Sequence, residues 1–294
     1  MFRLRQILFP VDFSSRCRGA AAYVQALAGR FDAELILLHV IEATYNSTLE
    51  DLHGARMEKF ESFFDKSFRH LPVRKLVEHG EAAQKIVECA SLNHADLIMI
   101  PTQGMGIYRR LILGSTSAKV LHDADCPVWT GVHLEKAPPL EAVACQRILC
   151  AVDLKPSNAG VLDWASHLAE EYQADLTLVH VTPGSETQHA RSQARSALEH
   201  LQQAACCPVN VRVEAGDVST VVAHLAGELK ADLLVIGRKP AARRRLFAFS
   251  IMTYWRTCTI FGCQNGAYSR FCGSSITIEN MVLLLFLDWC PACN

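Results

Sequence analysis

A glycine-containing stretch in the first half of the chain carries residue types that can hold a phosphate group. The apolar run 98–100 leads into a loop with Gly104 and Gly114, after which Ser115 and Thr116 open a helical pattern. Glycine lets the backbone approach an anion closely. The first N–H groups of a helix lack internal partners and lie at the positive end of the helix dipole. Ser115 is expected to cap this helix.

Glycine spacing alone does not decide the role of this stretch. No Gly-Lys-Ser or Gly-Lys-Thr follows the glycines, so it is not a Walker A loop, and it is not a Rossmann fingerprint. An ordinary connection between a strand and a helix explains the spacing equally well.

A carboxylate is expected beside this loop. The strand-like run 7–11 ends at Asp12, and a second strand over 34–40 ends at Val40. In parallel sheets, ligands bind beyond the carboxyl ends of the strands, where the strand order reverses. Asp12 can there accept hydrogen bonds from a ribose or a base, and Val40 can line an apolar wall. The alternative is that Asp12 caps the following helix.

Strands and helices alternate along the chain. This alternation predicts a parallel sheet with right-handed crossovers. Strands are predicted at 7–11, 34–40, 73–77, 96–100 and 126–130, and a helix is predicted over about 49–69. Another helix, capped by Ser14 or Ser15, is predicted after the first strand, and the residues of its predicted apolar face are Ala21, Val24, Leu27 and Ala28.

The pattern then repeats. Asp153 follows Asp12 by 141 residues (153 − 12), and Asp232 follows Asp96 by 136 residues (232 − 96). An offset that changes once indicates a duplicated domain with a shortening of five residues (141 − 136) after the second strand. His39 and His180 recur at matching strand ends, where a structural role is favoured over acid–base chemistry.

The repeat predicts two domains and a divergent tail. Composition changes at about Ala241, and the last 54 residues hold five of the twelve cysteines. This tail is interpreted as a non-homologous segment arising from a frame shift or a fused fragment, or else as a divergent ending that still packs. The predicted segments are a first domain over 1–135, a linker over 136–145, a truncated second domain over 146–240 and the tail over 241–294, which is frameshifted or disordered.

Composition and charge exclude several classes of function. A net charge of −1 argues against a general polyanion binder, so no nucleic-acid partner is expected. Residues 1–11 lack the apolar segment of a signal peptide, and the run 281–287 is too short to span a membrane, so a cytoplasmic location without a membrane partner is expected. No paired carboxylates, metal-ligand cluster or catalytic triad is evident, so neither catalytic nor metal residues are predicted.

The loop and strand ends resemble the universal stress protein family. The family pattern is Gly, two residues, Gly, nine residues, Gly, then Ser or Thr, and Gly104, nine residues and Gly114-Ser115 match it. Pro101 stands where the pattern has its first glycine. Pro10-Val11-Asp12 resembles the family's end of strand one. The resemblance covers about residues 3–133 well and 146–240 in part.

The resemblance implies a fold and a ligand. The implied fold is α/β, with two tandem Rossmann-like domains of the adenine nucleotide alpha hydrolase-like type, each a parallel five-stranded sheet with helices on both faces, the second incomplete. Nucleotide-binding members hold ATP, with or without Mg²⁺, and the family forms homodimers or intramolecular pseudo-dimers. The implied nucleotide-binding residues are Pro10, Val11, Asp12, Val40, Ile100, Pro101, Gly104, Gly114, Ser115 and Thr116.

Three functions follow as hypotheses. The first is a stress-response regulator that binds ATP through its first domain. The alternative is a nucleotide-free interaction or dimerisation module, because Pro101 has no N–H and a restricted φ. The third is a slow ATP hydrolase. In the second domain Asp153, Val181 and Gly237 match the family in part, and no phosphate site is predicted there.

Overall fold

The chain forms two compact units, Met1–Val143 and Ala144–Asn294. The structure is a computed structural model. It describes residues 4–42, 58–60, 63, 67–101, 114–131, 143, 145–154, 158–184, 187–238 and 282–287.

The first unit is a parallel five-stranded sheet with the strand order β3-β2-β1-β4-β5. The chain moves from β1 outward to β3, then returns past β1 to β4 and β5. Right-handed crossovers therefore put α1 on one face of the sheet and both α2 and α3 on the other, where they pack together. The elements are β1 (Gln6–Pro10), α1 (Ser15–Phe31), β2 (Glu34–Ile41), β3 (Val73–His79), α2 (Ala82–Leu92), β4 (Leu97–Met99), α3 (Ser115–Asp123) and β5 (Val128–Gly131).

The helix predicted over about 49–69 lies largely outside the described residues. Of its described residues, 58–60 and 63 are helical, whereas 67–69 form a turn and a bend, so the predicted helix does not extend to 69.

The second unit repeats four of these strands in the order β9-β6-β7-β8, again all parallel. The prediction of two tandem parallel-sheet domains, with an incomplete repeat in the second, is therefore confirmed. Beside β9 lies a further parallel strand, β10, from the segment that the sequence analysis assigns to the tail. The elements are β6 (Arg147–Ala151), α4 (Asn158–Tyr172), β7 (Asp175–Thr182), α5 (Gln188–Gln202), β8 (Val209–Ala215), α6 (Val218–Glu228), β9 (Leu233–Arg238) and β10 (Val282–Leu287).

The duplication extends to unusual backbone angles. Phe13 and Leu154, 141 residues apart (154 − 13), have positive φ angles of 60° and 59°. His94 and Lys230, 136 residues apart (230 − 94), have φ angles of 51° and 49°. Both offsets equal those found in the sequence. The chain therefore turns in the same way at corresponding places in the two units.

The first core lies on both faces of the central strands. β1 is buried at Ile7, Leu8 and Phe9, and β2 is buried through 35–38. The predicted apolar face of α1 is buried as expected. Its members are Ala21, Val24, Leu27 and Ala28.

A carboxylate joins β4 to β1 in the first unit, and its counterpart does the same in the second. Oδ2 of Asp96 accepts hydrogen bonds from the backbone N–H groups of Arg5 (2.7 Å) and Gln6 (2.9 Å). Oδ2 of Asp232 accepts from the N–H groups of Gln146 and Arg147, each at 3.0 Å. The acidic residue before β4 therefore holds the start of β1 in place, which accounts for its recurrence.

Replacing this carboxylate is expected to destabilise the first unit. Asp96→Ala should lower the free energy of unfolding by about 1–3 kcal/mol, because two N–H groups lose a charged acceptor. Asp96→Asn keeps an acceptor oxygen and should lose less. Urea unfolding followed by circular dichroism measures both. Glu88→Ala, which removes a side chain that is 42% exposed, is the control; an equal loss there would show that the Asp96 contacts add nothing specific.

A second carboxylate connects α2 to α3. Glu81 is the N-cap of α2, and its side chain accepts from the N–H groups of Ala83 and Gln84. Nζ of Lys119, on α3, lies 2.8 Å from Oε2 of Glu81. The hydrogen bond from Lys119, followed by those from the backbone, lowers the pKa of the Glu81 carboxyl below its ordinary 4.5. The contribution of this carboxylate to stability is present above pH 4.5 and is lost as the pH falls through the lowered pKa.

Lys119→Met should therefore raise the pKa of Glu81 towards 4.5. An NMR titration of side-chain carboxyl carbons measures the change. Asp217, whose pKa is lowered first by the Ser219 hydroxyl, is an internal control that should not move. If the pKa of Glu81 stays equally low in the variant, the helix cap and not Lys119 is its main cause.

Candidate functional site

The candidate site lies at the carboxyl ends of β2, β1 and β4, which are neighbours in the sheet. Pro10 is opposite Leu38 of β2, and Leu8 is opposite Ile98 of β4. The chain leaves β1 towards one edge of the sheet and leaves β4 towards the other. The boundary between β1 and β4 is therefore the point where the strand order reverses, which is where open parallel sheets bind ligands.

Asp12 lies in the turn that joins β1 to α1. Its Oδ1 accepts a hydrogen bond from the backbone N–H of Ser14 at 2.9 Å. Ser14 is the N-cap of α1, and its Oγ accepts from the N–H of Cys17 at 3.1 Å. The alternative that Asp12 caps the helix is therefore wrong. Among the described residues, no donor contacts Oδ2 of Asp12, and the side chain is partly exposed.

His39 supports this turn from β2. Its Nδ1–H donates to the carbonyl oxygen of Val11 at 2.7 Å, and the residue is only 8% exposed. His180 makes the same contact with the carbonyl of Val152 at 2.9 Å. Both contacts agree with the structural role that the sequence favours for the two histidines.

An aromatic cluster lies next to Asp12. It comprises Phe13, His39, Phe60 and Phe63, and the Phe13 ring centroid lies 4.6 Å from that of His39, 5.2 Å from Phe60 and 5.3 Å from Phe63. Nζ of Lys59 lies 4.7 Å from the centroid of Phe13. Sequence reasoning missed this cluster, although the position of Phe13 directly after Asp12 was a signal for it.

The end of β4 is held by its neighbours. The N–H of Ile100 donates to the carbonyl of Trp129 at 2.9 Å, and Ile100 is 6% exposed. Pro101 is also buried, and its carbonyl accepts a hydrogen bond from Oγ of Ser117 at 2.8 Å. Ser117 lies in the first turn of α3, so this contact connects the strand end to the start of the helix.

The start of α3 differs from the prediction. Gly114, not Ser115, is the N-cap, and it has extended backbone angles and no side-chain cap. Ser115 is the first helical residue and is exposed, and Thr116 is partly exposed. The expectation that Ser115 caps the helix is therefore wrong. No side chain of this cap occupies the N–H groups of the first turn.

The structure brings most of the predicted residues to the carboxyl ends of the strands in the first sheet. Val40, partly exposed, lies near the end of β2. Gly104 lies outside the described residues. The other predicted residues are grouped at the ends of β1 and β4 and at the start of α3; they are Pro10, Val11, Asp12, Ile100, Pro101, Gly114, Ser115 and Thr116.

The thiol of Cys17, in the first turn of α1, is not activated as a nucleophile. Burial, and secondarily the charge of Asp12, raises the pKa of the Cys17 thiol far above its ordinary value. Cys17 is therefore a packing residue. In the part of the chain that the structure describes, no group of three or more metal-ligating side chains is placed to hold an ion. None of the described helices has the length and apolar character needed to cross a membrane.

The corresponding turn of the second unit has a different carboxylate environment. Oδ1 of Asp153 accepts a hydrogen bond from Nδ2 of Asn158 at 2.5 Å, and Asn158 is 2% exposed. Asn158 is the counterpart of Cys17 (158 − 141). Val181 and Gly237, which match the family pattern in part by sequence, lie near the ends of β7 and β9. The chain from 239 to 281 lies outside the described residues.

Comparisons with known proteins agree with this fold. The chain is 31% identical over 131 residues to the universal stress protein in the QAH/OAS sulfhydrylase 3′ region of Thermus aquaticus, an alignment that covers 42% of this chain and 96% of that protein. It is 28% identical over 132 residues to a universal stress protein of Synechocystis, covering 42% and 83% of the two chains. A crystal structure of a universal stress protein from Archaeoglobus fulgidus superposes with a TM-score of 0.74 at 17% identity, covering 98% of this chain and 100% of that one.

The family model covers both units. It matches residues 3–130 and again 145–254, so the second match extends past the predicted domain end at 240. Two matches that together span well over half of the chain show that this protein is a tandem member of the universal stress protein family.

Proposed function

We propose that the first domain binds an adenine nucleotide, ATP, and that the protein acts as a stress-response regulator through this binding. The observation that carries the proposal is the grouping of the Asp12 carboxylate with the start of α3 at the point where the strand order reverses. The two groups suit opposite ends of one ligand. A carboxylate accepts from hydroxyl or amino groups, and a helix N-terminus attracts phosphate.

The environment of Asp12 favours recognition of a neutral donor. One carboxylate oxygen already holds Ser14, so the turn is ordered before a ligand arrives. The other oxygen remains for a ribose hydroxyl or the base. The apolar residues assigned to the base are Val40, near the end of β2, and Ile100, directly after β4.

Phosphate binding is assigned to the start of α3. Gly114 supplies no side chain to compete for the first N–H groups. Ser115 and Thr116 add hydroxyl donors. Mg²⁺, where it accompanies ATP, would be held mainly by the phosphates and water, as is common for this ion.

Pro101 removes one backbone donor from the family pattern. The proposal survives this loss because the helix supplies its own N–H groups, and the contact from Ser117 fixes the Pro101 carbonyl at the helix start. Pro101 does favour the second candidate, a nucleotide-free interaction module, if a donor at 101 is essential.

Titration calorimetry of ATP–Mg²⁺ into the full chain tests the first candidate. We expect binding, and we expect Gly114→Asp to abolish it, because the new carboxylate repels phosphate and takes the N–H groups of the first turn. Asp is a favourable N-cap, so this variant should unfold at a temperature no lower than wild type. A folded wild-type protein without affinity at millimolar ATP would overturn the proposal. Binding gained only in Pro101→Gly would then identify the missing donor as the cause.

Asp12→Asn should weaken ATP binding about 10- to 100-fold, because a charged acceptor becomes a neutral one. The amide keeps an oxygen for the N–H of Ser14, so the turn should persist. Asp153→Asn is the matched control in the second domain and should leave the affinity unchanged. Equal losses in both variants would contradict a site confined to the first domain.

A further inference from the structure

His39 contacts both chain neighbours of Asp12. Its Nδ1–H donates to the carbonyl of Val11, which precedes Asp12, at 2.7 Å. Its ring packs against that of Phe13, which follows Asp12, with the centroids 4.6 Å apart. One buried side chain therefore restrains the backbone on both sides of the carboxylate.

The turn needs such restraint because its backbone is unfavourable. Phe13 has a φ of 60°, in the left-handed region that non-glycine residues rarely adopt. A conformation of this kind persists only where surrounding contacts hold it. Val11 is fixed further, because its N–H donates to the carbonyl of Leu38 at 2.7 Å. The direction in which Asp12 points thus depends on these contacts of its neighbours as well as on its own hydrogen bond with the Ser14 N–H.

From these contacts we infer that His39 is the positioning residue of the proposed nucleotide site, holding the Val11–Phe13 turn so that the Asp12 carboxylate faces the ligand. This inference rests on the proposed function. It assigns His39 no contact with the nucleotide and no proton transfer.

The second domain supplies a control within the same chain. His180 donates to the carbonyl of Val152, as His39 does to that of Val11. However, Leu154 stands in place of Phe13, and Asp153 is held by Asn158. Loss of His180 should therefore affect stability in a similar way without affecting a ligand bound in the first domain.

The test compares His39→Leu, His39→Asn and His180→Leu in the full chain. We expect His39→Leu to weaken ATP binding about tenfold, in line with the loss of one buried hydrogen bond. His39→Asn should recover most of the affinity, because its amide can place a donor near the position of Nδ1. His180→Leu should bind as wild type does.

A double-mutant cycle separates positioning from general destabilisation. If His39 acts through Asp12, adding His39→Leu to Asp12→Asn should weaken binding by less than twofold, whereas independent effects would multiply. Multiplied effects, or an equal loss in His180→Leu, would overturn the inference.

Hydrogen exchange at the Ser14 amide tests, in the absence of ligand, whether His39 holds the turn. This amide donates to Oδ1 of Asp12. Its exchange rate by NMR should rise at least tenfold in His39→Leu and stay unchanged in His180→Leu. Unchanged exchange in His39→Leu overturns the positioning role. A wild-type protein that fails to bind ATP overturns the proposed function, whereas the exchange result still shows whether His39 holds the turn around Asp12.

Discussion

The first domain depends on the pairing of β1 with parallel strands on both sides. β1 lies between β2 and β4, so its backbone groups are used in both directions and its side chains are buried on both faces. That position requires a continuous apolar strand, which residues 7–9 supply. It also places the residues after β1 at the reversal of strand order. The candidate site can therefore form because this central strand, buried at 7–9, ends in a polar turn.

The turn after β1 combines stability with an exposed polar group. Ser14 caps the start of α1, His39 donates to the Val11 carbonyl, and the aromatic cluster packs around Phe13. These contacts hold the backbone on both sides of Asp12 and help to compensate for the positive φ of Phe13. The carboxylate of Asp12 keeps one oxygen without a described partner. Polar groups that are ordered but unoccupied in this way are suited to bind a ligand without a large entropic cost.

The two domains show how a duplicated backbone can acquire different side-chain chemistry. Strand register and positive φ angles recur at the offsets of 141 and 136 residues, and the N-cap Glu81 recurs as Asp217. Asp96 and Asp232 make the same backbone contacts, since the strands need them in either domain. By contrast, Asn158 replaces Cys17 and binds the carboxylate of Asp153. The residues that make backbone hydrogen bonds between strands are therefore the same in both domains. The carboxylates after the first strand of each domain, Asp12 and Asp153, have different partners.

The sequence by itself determined the alternation of strands and helices, the duplication with its two offsets, and the buried faces of α1 and β1. These features follow from local periodicity and from repeated residues, which are visible without coordinates. Only the tertiary structure decided between Ser14 and Ser15 as the cap of α1, made Gly114 the cap of α3, paired β10 with β9, and placed His39 and Phe13 beside Asp12. A cap depends on backbone angles at one residue, and the other contacts join residues far apart in the chain. Their energies arise only once β1, β2 and the helical residues near 60 are packed together.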